Sequence, residues 1–182
     1  MSKNSPVSIL ASFFSSNENK PELILATGMK GAGKTSWCMD LIEHARALDL
    51  KLCGLISPAV FEAGQKVGID LLDLHSGERR NLAHRTGNAN GDLRTTDWQM
   101  VAETLEWGNA ILENINSCDL FILDEVGPLE FEHGIGLIAG LDIIDSHKKI
   151  PAVVVVRPSL LALADKRWPW AQVMDVSAKA DA

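Results

Sequence analysis

No C-x-x-C pair occurs in this sequence. Cys38, Cys53 and Cys118 stand far apart, a spacing that offers no zinc site and, being odd in number, suits a reducing cytoplasm with all three as small buried hydrophobes. Basic charge is also in short supply. Seventeen Lys and Arg against 24 Asp and Glu give a net charge of -7 over 182 residues, which argues against generic nucleic-acid binding and against an anionic membrane surface. Long apolar runs are missing too. Gly136 to Leu141 is cut by Asp142 and Ala152 to Val156 by Arg157, both far short of the ~20 residues a membrane-spanning helix needs. The apolar stretch Ser8 to Phe14 follows a single Lys3 and is too short for a convincing signal peptide. His44, His75, His84, His133 and His147 show no metal-ligand spacing, and no internal repeat or low-complexity tract is visible. The length fits one domain with a full core.

What is present is concentrated. Residues 28 to 35 read Gly28-Met29-Lys30-Gly31-Ala32-Gly33-Lys34-Thr35, the pattern G-x-x-x-x-G-K-[ST]. Before it runs Glu22-Leu23-Ile24-Leu25-Ala26-Thr27, of strand length; after it Trp37, Cys38, Leu41, Ile42, Ala45 and Leu48 follow helical spacing. Strand, Gly-rich loop and helix in that order give the motif its mechanism. The glycines let the backbone approach a ligand, and the N–H groups of the loop and the new helix converge on anionic oxygens. On this reading Gly28 through Ser36 (Gly28, Met29, Lys30, Gly31, Ala32, Gly33, Lys34, Thr35 and Ser36) cradle the phosphates. Lys34 adds a charge for the β- and γ-phosphates, and the Thr35 hydroxyl is a ligand for Mg²⁺. The plainer alternative is an ordinary Gly-rich strand-to-helix turn.

A second signal is Leu120-Phe121-Ile122-Leu123-Asp124-Glu125, an apolar run ending in two acids. It suits a central parallel strand buried on both faces, with Asp124 at its carboxyl end, where open α/β sheets bind their ligands. Asp124 is the second Mg²⁺ residue. Glu125, one residue beyond, can polarise a water for in-line attack; the plainer reading is a pair of exposed acids at a strand end. Arg157, directly after the valine strand, is the third catalytic candidate with Lys34 and Glu125, either as a γ-phosphate sensor or as a surface residue.

Alternating strands and helices predict an α/β fold of the P-loop NTPase plan: a mainly parallel five-stranded core sheet flanked by helices, with an antiparallel hairpin inserted after strand 2. The expected strands are Leu23–Thr27, 51–56, Leu120–Asp124, 151–156 and 171–176, one of them separating the first from the Asp124 strand. Residues 59–74, where Val67, Ile69 and Leu71 alternate with polar or small residues, form the hairpin. Residues 79–96 read as a long polar irregular segment whose Arg79, Arg80 and Arg85 close over phosphates or stay solvated. Helices are expected over 33–48, 98–116, 132–147 and 159–165. The domain spans 22–178, preceded by an arm or short helix and linker over 1–21 and followed by a tail over 179–182.

Three segments together carry a family resemblance. Gly54-Leu55-Ile56-Ser57-Pro58-Ala59-Val60-Phe61-Glu62-Ala63-Gly64-Gln65-Lys66-Val67-Gly68 is similar to the hairpin of the small nucleoside-triphosphatases known from thermophiles and, as the cancer-related nucleoside-triphosphatase, from animals, with the pattern G-F-x-T-x-E-V-R-x-x-G-x-R-x-G-F. Asp124-Glu125-Val126-Gly127-Pro128-Leu129-Glu130 resembles that family's D-E-I-G-x-M-E, and Leu82-Ala83 its leucine-alanine after the hairpin. The resemblance spans roughly 23–157. It implies slow, Mg²⁺-dependent hydrolysis of ATP and GTP to diphosphate and phosphate. Two positions depart from it: the family's hairpin arginines are Phe61 and Lys66 here, and lysine cannot reproduce the arginine fork. Two other readings stay open: a nucleotide-dependent switch acting on a protein partner, and a kinase holding a small acceptor. Trp98 and Trp107 could stack on a base or pack in the core.

Overall fold

Leu23, Leu25, Val154 and Val156 belong to one buried cluster, and the intervening Ile24, Ala26, Val153 and Val155 to another. Apolar side chains at every position of a strand can be buried only if both faces of its sheet are covered. The computed structural model describes residues 4–16, 22–85, 98–146 and 150–177, the Glu125 side chain excepted. In chain order the elements are α1 (Pro6–Phe13), β1 (Leu23–Thr27), α2 (Lys34–Ala47), β2 (Leu52–Ile56), β3 (Ala59–Glu62), β4 (Gln65–Asp73), β5 (Arg79–Arg85), β6 (Trp98–Met100), α3 (Ala102–Glu113), β7 (Leu120–Val126), α4 (Pro128–Phe131), α5 (Ile138–Asp145), β8 (Ala152–Val156), a 3₁₀ turn (Pro158–Leu160), α6 (Leu161–Arg167) and β9 (Gln172–Asp175). Ile9, Leu10 and Phe13 of α1 join Cys38, Leu41, Ile42 and Ala45 of α2 on one face. Residues of α3, α5 and α6, with Trp168, cover the other.

The strands run in the order β6-β5-β4-β2-β7-β8-β1-β9, with β3 paired to β4 at the side. The five strands β2, β7, β8, β1 and β9 are mutually parallel. Strands β3 to β6 are antiparallel. The expected parallel core with its inserted hairpin is therefore present, and β8 lies between β1 and β7, as the sequence reading requires. Gly54 shows why β2 and β7 fit so closely. Its φ is +106° and a Cβ there would overlap the Ile122 carbonyl, so only glycine is tolerated.

Several local expectations change. Residues 79–85 are not irregular: they form β5, pairing with β4 from Gly68↔His84 to Leu72↔Arg79, and β6 extends the sheet from Ala83↔Met100 to Arg85↔Trp98. Backbone ladders, not an apolar pattern, make these strands. The helix that periodicity predicts over 98–116 starts only at Ala102, and the one over 132–147 starts only at Ile138, after a separate short α4 that ends at Phe131. Gly134 and Gly136 separate α4 from α5 at φ +64° and +89°, outside the right-handed helical region. Cys53 and Cys118 are not separate buried hydrophobes but a disulfide, with Cα atoms 5.9 Å apart, a span that suits a bridge. Only Cys38 is free, so cysteine usage no longer argues for a reducing compartment. No helix among the described residues is long and apolar enough to cross a membrane.

Candidate functional site

The carboxyl end of β1 passes through Thr27 and Gly28 into the glycine loop. Gly31 and Gly33 take φ +81° and +84°, left-handed values that suit glycine. The Lys34 ammonium folds back to donate to the Gly28 carbonyl at 2.8 Å and the Met29 carbonyl at 3.1 Å. The Ala32 N–H donates to Met29 O at 3.0 Å. Helix α2 begins at Lys34 without a side-chain cap and without an acid in its first turn, which leaves that helix end suited to an anion. Gly28 packs so tightly on the turn after β9 that an added Cβ would lie 2.6 Å from the Ser177 hydroxyl. Beside it the Thr27 hydroxyl is buried with no hydrogen-bond partner among the described residues. Thr35 is half-buried at the head of α2, while Met29 is 70% exposed on the loop.

Two strands away, β7 carries Asp124 to the same edge. Asp124 is buried, and its carboxylate accepts a long hydrogen bond of 3.4 Å from the Ser57 N–H. The Ser57 hydroxyl donates to the Asp124 carbonyl at 3.5 Å. Burial first, and then the Asp124 charge, push the Cys38 thiol well above its ordinary range, so α2 lies within electrostatic reach of β7. Glu125 falls within a register shift of the β7–β8 ladder between Leu123 and Val126; its side chain is outside the described residues. Arg157 is exposed, leaving β8 at the head of the 3₁₀ turn. The fold thus brings the glycine loop, Asp124, the Glu125 backbone and Arg157 to one carboxyl edge.

Glu130 organises the segment that follows. Its carboxylate accepts from the Gly127 N–H at 2.8 Å and the Leu137 N–H at 3.0 Å, satisfying two buried donors and fixing the turn beyond Glu125. Among the described residues no cluster of three or more His, Cys, Asp or Glu could hold a metal. The available donors, the Thr35 hydroxyl and the Asp124 carboxylate, are hard oxygens. Such a set fits a Mg²⁺ that keeps waters and shares phosphate ligands, and it does not fit a cation needing an all-protein cage.

The other candidates are engaged in the inserted sheet. Arg79 pairs with Asp70 at 2.8 Å and Arg80 with Glu78 at 2.8 Å, and Arg80 also lies 4.5 Å from the Trp107 ring centroid. Lys66 stands over Trp98 at 4.9 Å, and Phe61, its partner in the β3–β4 ladder, is 63% exposed. His44, His75, His84 and His133 are exposed; His147 and residues 86–97 lie outside the described residues. Sequence reasoning missed Ser57; its one signal was its place directly after the buried run Leu52–Ile56.

The profile of the NTPase family matches residues 23–175. Nucleoside-triphosphatase THEP1 of Pyrobaculum aerophilum is 36% identical over 107 residues, which cover 58% of this chain and 58% of that protein. The match therefore spans less than two thirds of that relative. THEP1 of Ignicoccus hospitalis is 30% identical over 131 residues, covering 72% of this chain and 74% of that one. Among solved structures, a human cancer-related nucleoside triphosphatase superposes with a TM-score of 0.66 at 18% identity, covering 85% of this chain and 88% of its own. THEP1 from Aquifex aeolicus gives 0.63 at 16% identity, covering 86% and 90%. These two likenesses establish a common fold.

Proposed function

This chain belongs to the NTPase family, and from that premise we propose that it hydrolyses ATP and GTP, with Mg²⁺, to diphosphate and phosphate. One observation carries the reading. A glycine loop with left-handed Gly31 and Gly33 opens onto an uncapped helix end, and the buried Asp124 reaches the same sheet edge two strands away. A phosphate cradle and a carboxylate of the kind that holds Mg²⁺ on one sheet edge support this reading.

In this reading the N–H groups from Gly28 to Ser36 hold the phosphate chain. Lys34 exchanges its contacts with the Gly28 and Met29 carbonyls for charge-assisted bonds to the β- and γ-phosphates. Thr35 and Asp124 would hold the cation, and the chemistry it would supply there is positive charge against the phosphate oxygens. Glu125 takes the proton of the attacking water, and Arg157 meets the charge that gathers on the departing phosphoryl group. Cytoplasmic residence and a single domain over 22–178 belong to the same proposal. Phosphate release measured across a panel of nucleoside triphosphates with Mg²⁺, and again with EDTA, tests it. Release that persists in EDTA, or no release from any triphosphate, would sink it.

A second reading has its own observation. Phe61 stands 63% exposed where the family hairpin has an arginine, and Lys66, at the other arginine position, lies over Trp98. A chain lacking both forked guanidiniums turns over slowly and suits a switch that waits for a protein partner. A rise in phosphate release on adding that partner separates this from the plain hydrolase.

A further inference from the structure

Beside Asp124, but outside the glycine loop, a cleft lies between the inserted antiparallel strands and the end of the parallel sheet. Its empty volume, open mouth included, is about 560 Å³. The walls are apolar: Ile69, Leu82, Trp98 and Met100 come from the inserted strands, Leu129 and Leu137 from the segment after β7. Ser57, Glu130 and Arg157 bring polar side chains to the lining. An apolar wall with a few convergent polar groups is the usual build of a small-molecule site. We propose that this cleft binds a second small molecule, one with a single-ring apolar body and a carboxylate head.

The position excludes the nucleoside of the bound triphosphate, an argument that rests on the triphosphatase reading. The glycine loop follows β1 and the metal carboxylate stands on β7, with β8 between them. The terminal phosphate therefore points toward β7 and the nucleoside away from it, toward β9. Apart from Arg157, which reaches it from the end of β8, the cleft is lined from β7 and from the opposite side of it, where β2 and β4 lead into the insertion. Its occupant is a separate molecule.

The lining sets the chemistry of that molecule. Trp98 offers a flat rigid face and Met100 a polarisable thioether, a pair suited to a planar ring. Glu130 does not repel an anion in full force, since both its oxygens accept buried N–H groups, of Gly127 and Leu137. Arg157 decides the sign of the head. Its guanidinium carries five N–H donors, enough to serve a carboxylate in the cleft besides another acceptor.

The test is a titration of the full chain, without nucleotide, with 3-phenylpropionate and with its neutral analogue 3-phenylpropanol, followed by amide chemical shifts. Saturable shifts confined to the cleft residues are expected, with the acid binding about fivefold tighter than the alcohol, as one charge-assisted contact gives. Arg157→Gln removes that preference while leaving the alcohol bound. Met100→Trp fills the cleft from a half-buried edge strand and abolishes the shifts for both; Ile69→Phe does the same should the first variant fail to fold. No saturable binding, shifts that survive a folded cleft-filling variant, or equal affinity for acid and alcohol would overturn the proposal. The titration contains no triphosphate and reads no turnover, so its failure and a failure of the triphosphatase reading are seen separately.

Discussion

Gly136 lies against the carboxylate of Glu130 with no room for a methyl group between them. The contact is forced by the two hydrogen bonds that carboxylate accepts from Gly127 and Leu137, and by the positive φ of Gly136. Gly136→Ala therefore meets a steric and a conformational obstacle at once. Glu130→Ala leaves two buried N–H groups without acceptors, each costing about 1–3 kcal/mol. Both variants should lower the denaturation midpoint in urea with an unchanged slope. Glu130→Gln, which keeps one acceptor oxygen, should fall between Glu130→Ala and the parent. A midpoint for Glu130→Ala equal to that of the parent would show the clamp to be dispensable.

Lys34→Ala should abolish turnover and weaken triphosphate binding by about 1.5–3 kcal/mol, the scale of lost hydrogen bonds to charged groups. Diphosphate should lose less, because part of the Lys34 contact is to the γ-phosphate. Calorimetric titration of both nucleotides measures the difference, and equal losses would contradict the assignment.

Glu125→Gln separates binding from chemistry. It keeps the size and polarity of the side chain but removes the base, so turnover should drop by about 10²–10⁴ while nucleotide affinity stays within a few-fold. Asp124→Asn should act differently, weakening the Mg²⁺ dependence and the binding of the metal–nucleotide complex together. Steady-state kinetics at varied Mg²⁺ distinguish the two. A Gln variant that works at the parent rate would remove Glu125 from the mechanism and favour the switch.

The Cys38 thiol, pushed up by burial and by Asp124, should resist alkylation in the native protein at pH 8 and react once the chain unfolds. The sign of the linkage follows. The folded-state value lies above the unfolded one, so the contribution of Cys38 to stability is complete below the ordinary thiol range. It fades as pH rises through and beyond that range, where only the unfolded chain readily loses the proton. Mass spectrometry after a short iodoacetamide pulse, with and without urea, counts the label. Rapid labelling of Cys38 without urea would mean that the helix α2 interface opens.

What could be read beforehand depended on how local the chemistry was. The glycine loop and the Asp124 strand were legible because each needs a fixed order of residue types within one short segment. Strands β5 and β6 were hidden because Leu82 and Ala83 are the only fully buried apolar residues of the two. Their pairing comes from β4, which periodicity does not see. The helix expected over 132–147 begins only at Ile138, because Gly134 and Gly136 turn the backbone before it and a carboxylate several residues away holds that turn. The Cys53–Cys118 pair depends on the parallel register that sets Cys53 beside Phe121, a relation no spacing along the chain reveals. Ser57 became noticeable only once its backbone was seen to touch Asp124.

Strand β1 has a consequence for biosynthesis. Its two hydrogen-bonded neighbours are β8 and β9, both made more than a hundred residues after it. During translation the glycine loop thus exists long before the strands that hold its base in place. Contacts of such sequence separation are late and slow to form, and N-terminal segments awaiting distant partners are exposed to misassembly. Nascent chains arrested before Gln172 should therefore fail to retain nucleotide, and affinity should arise in a single late step when Gln172–Asp175 docks beside Ile24–Thr27.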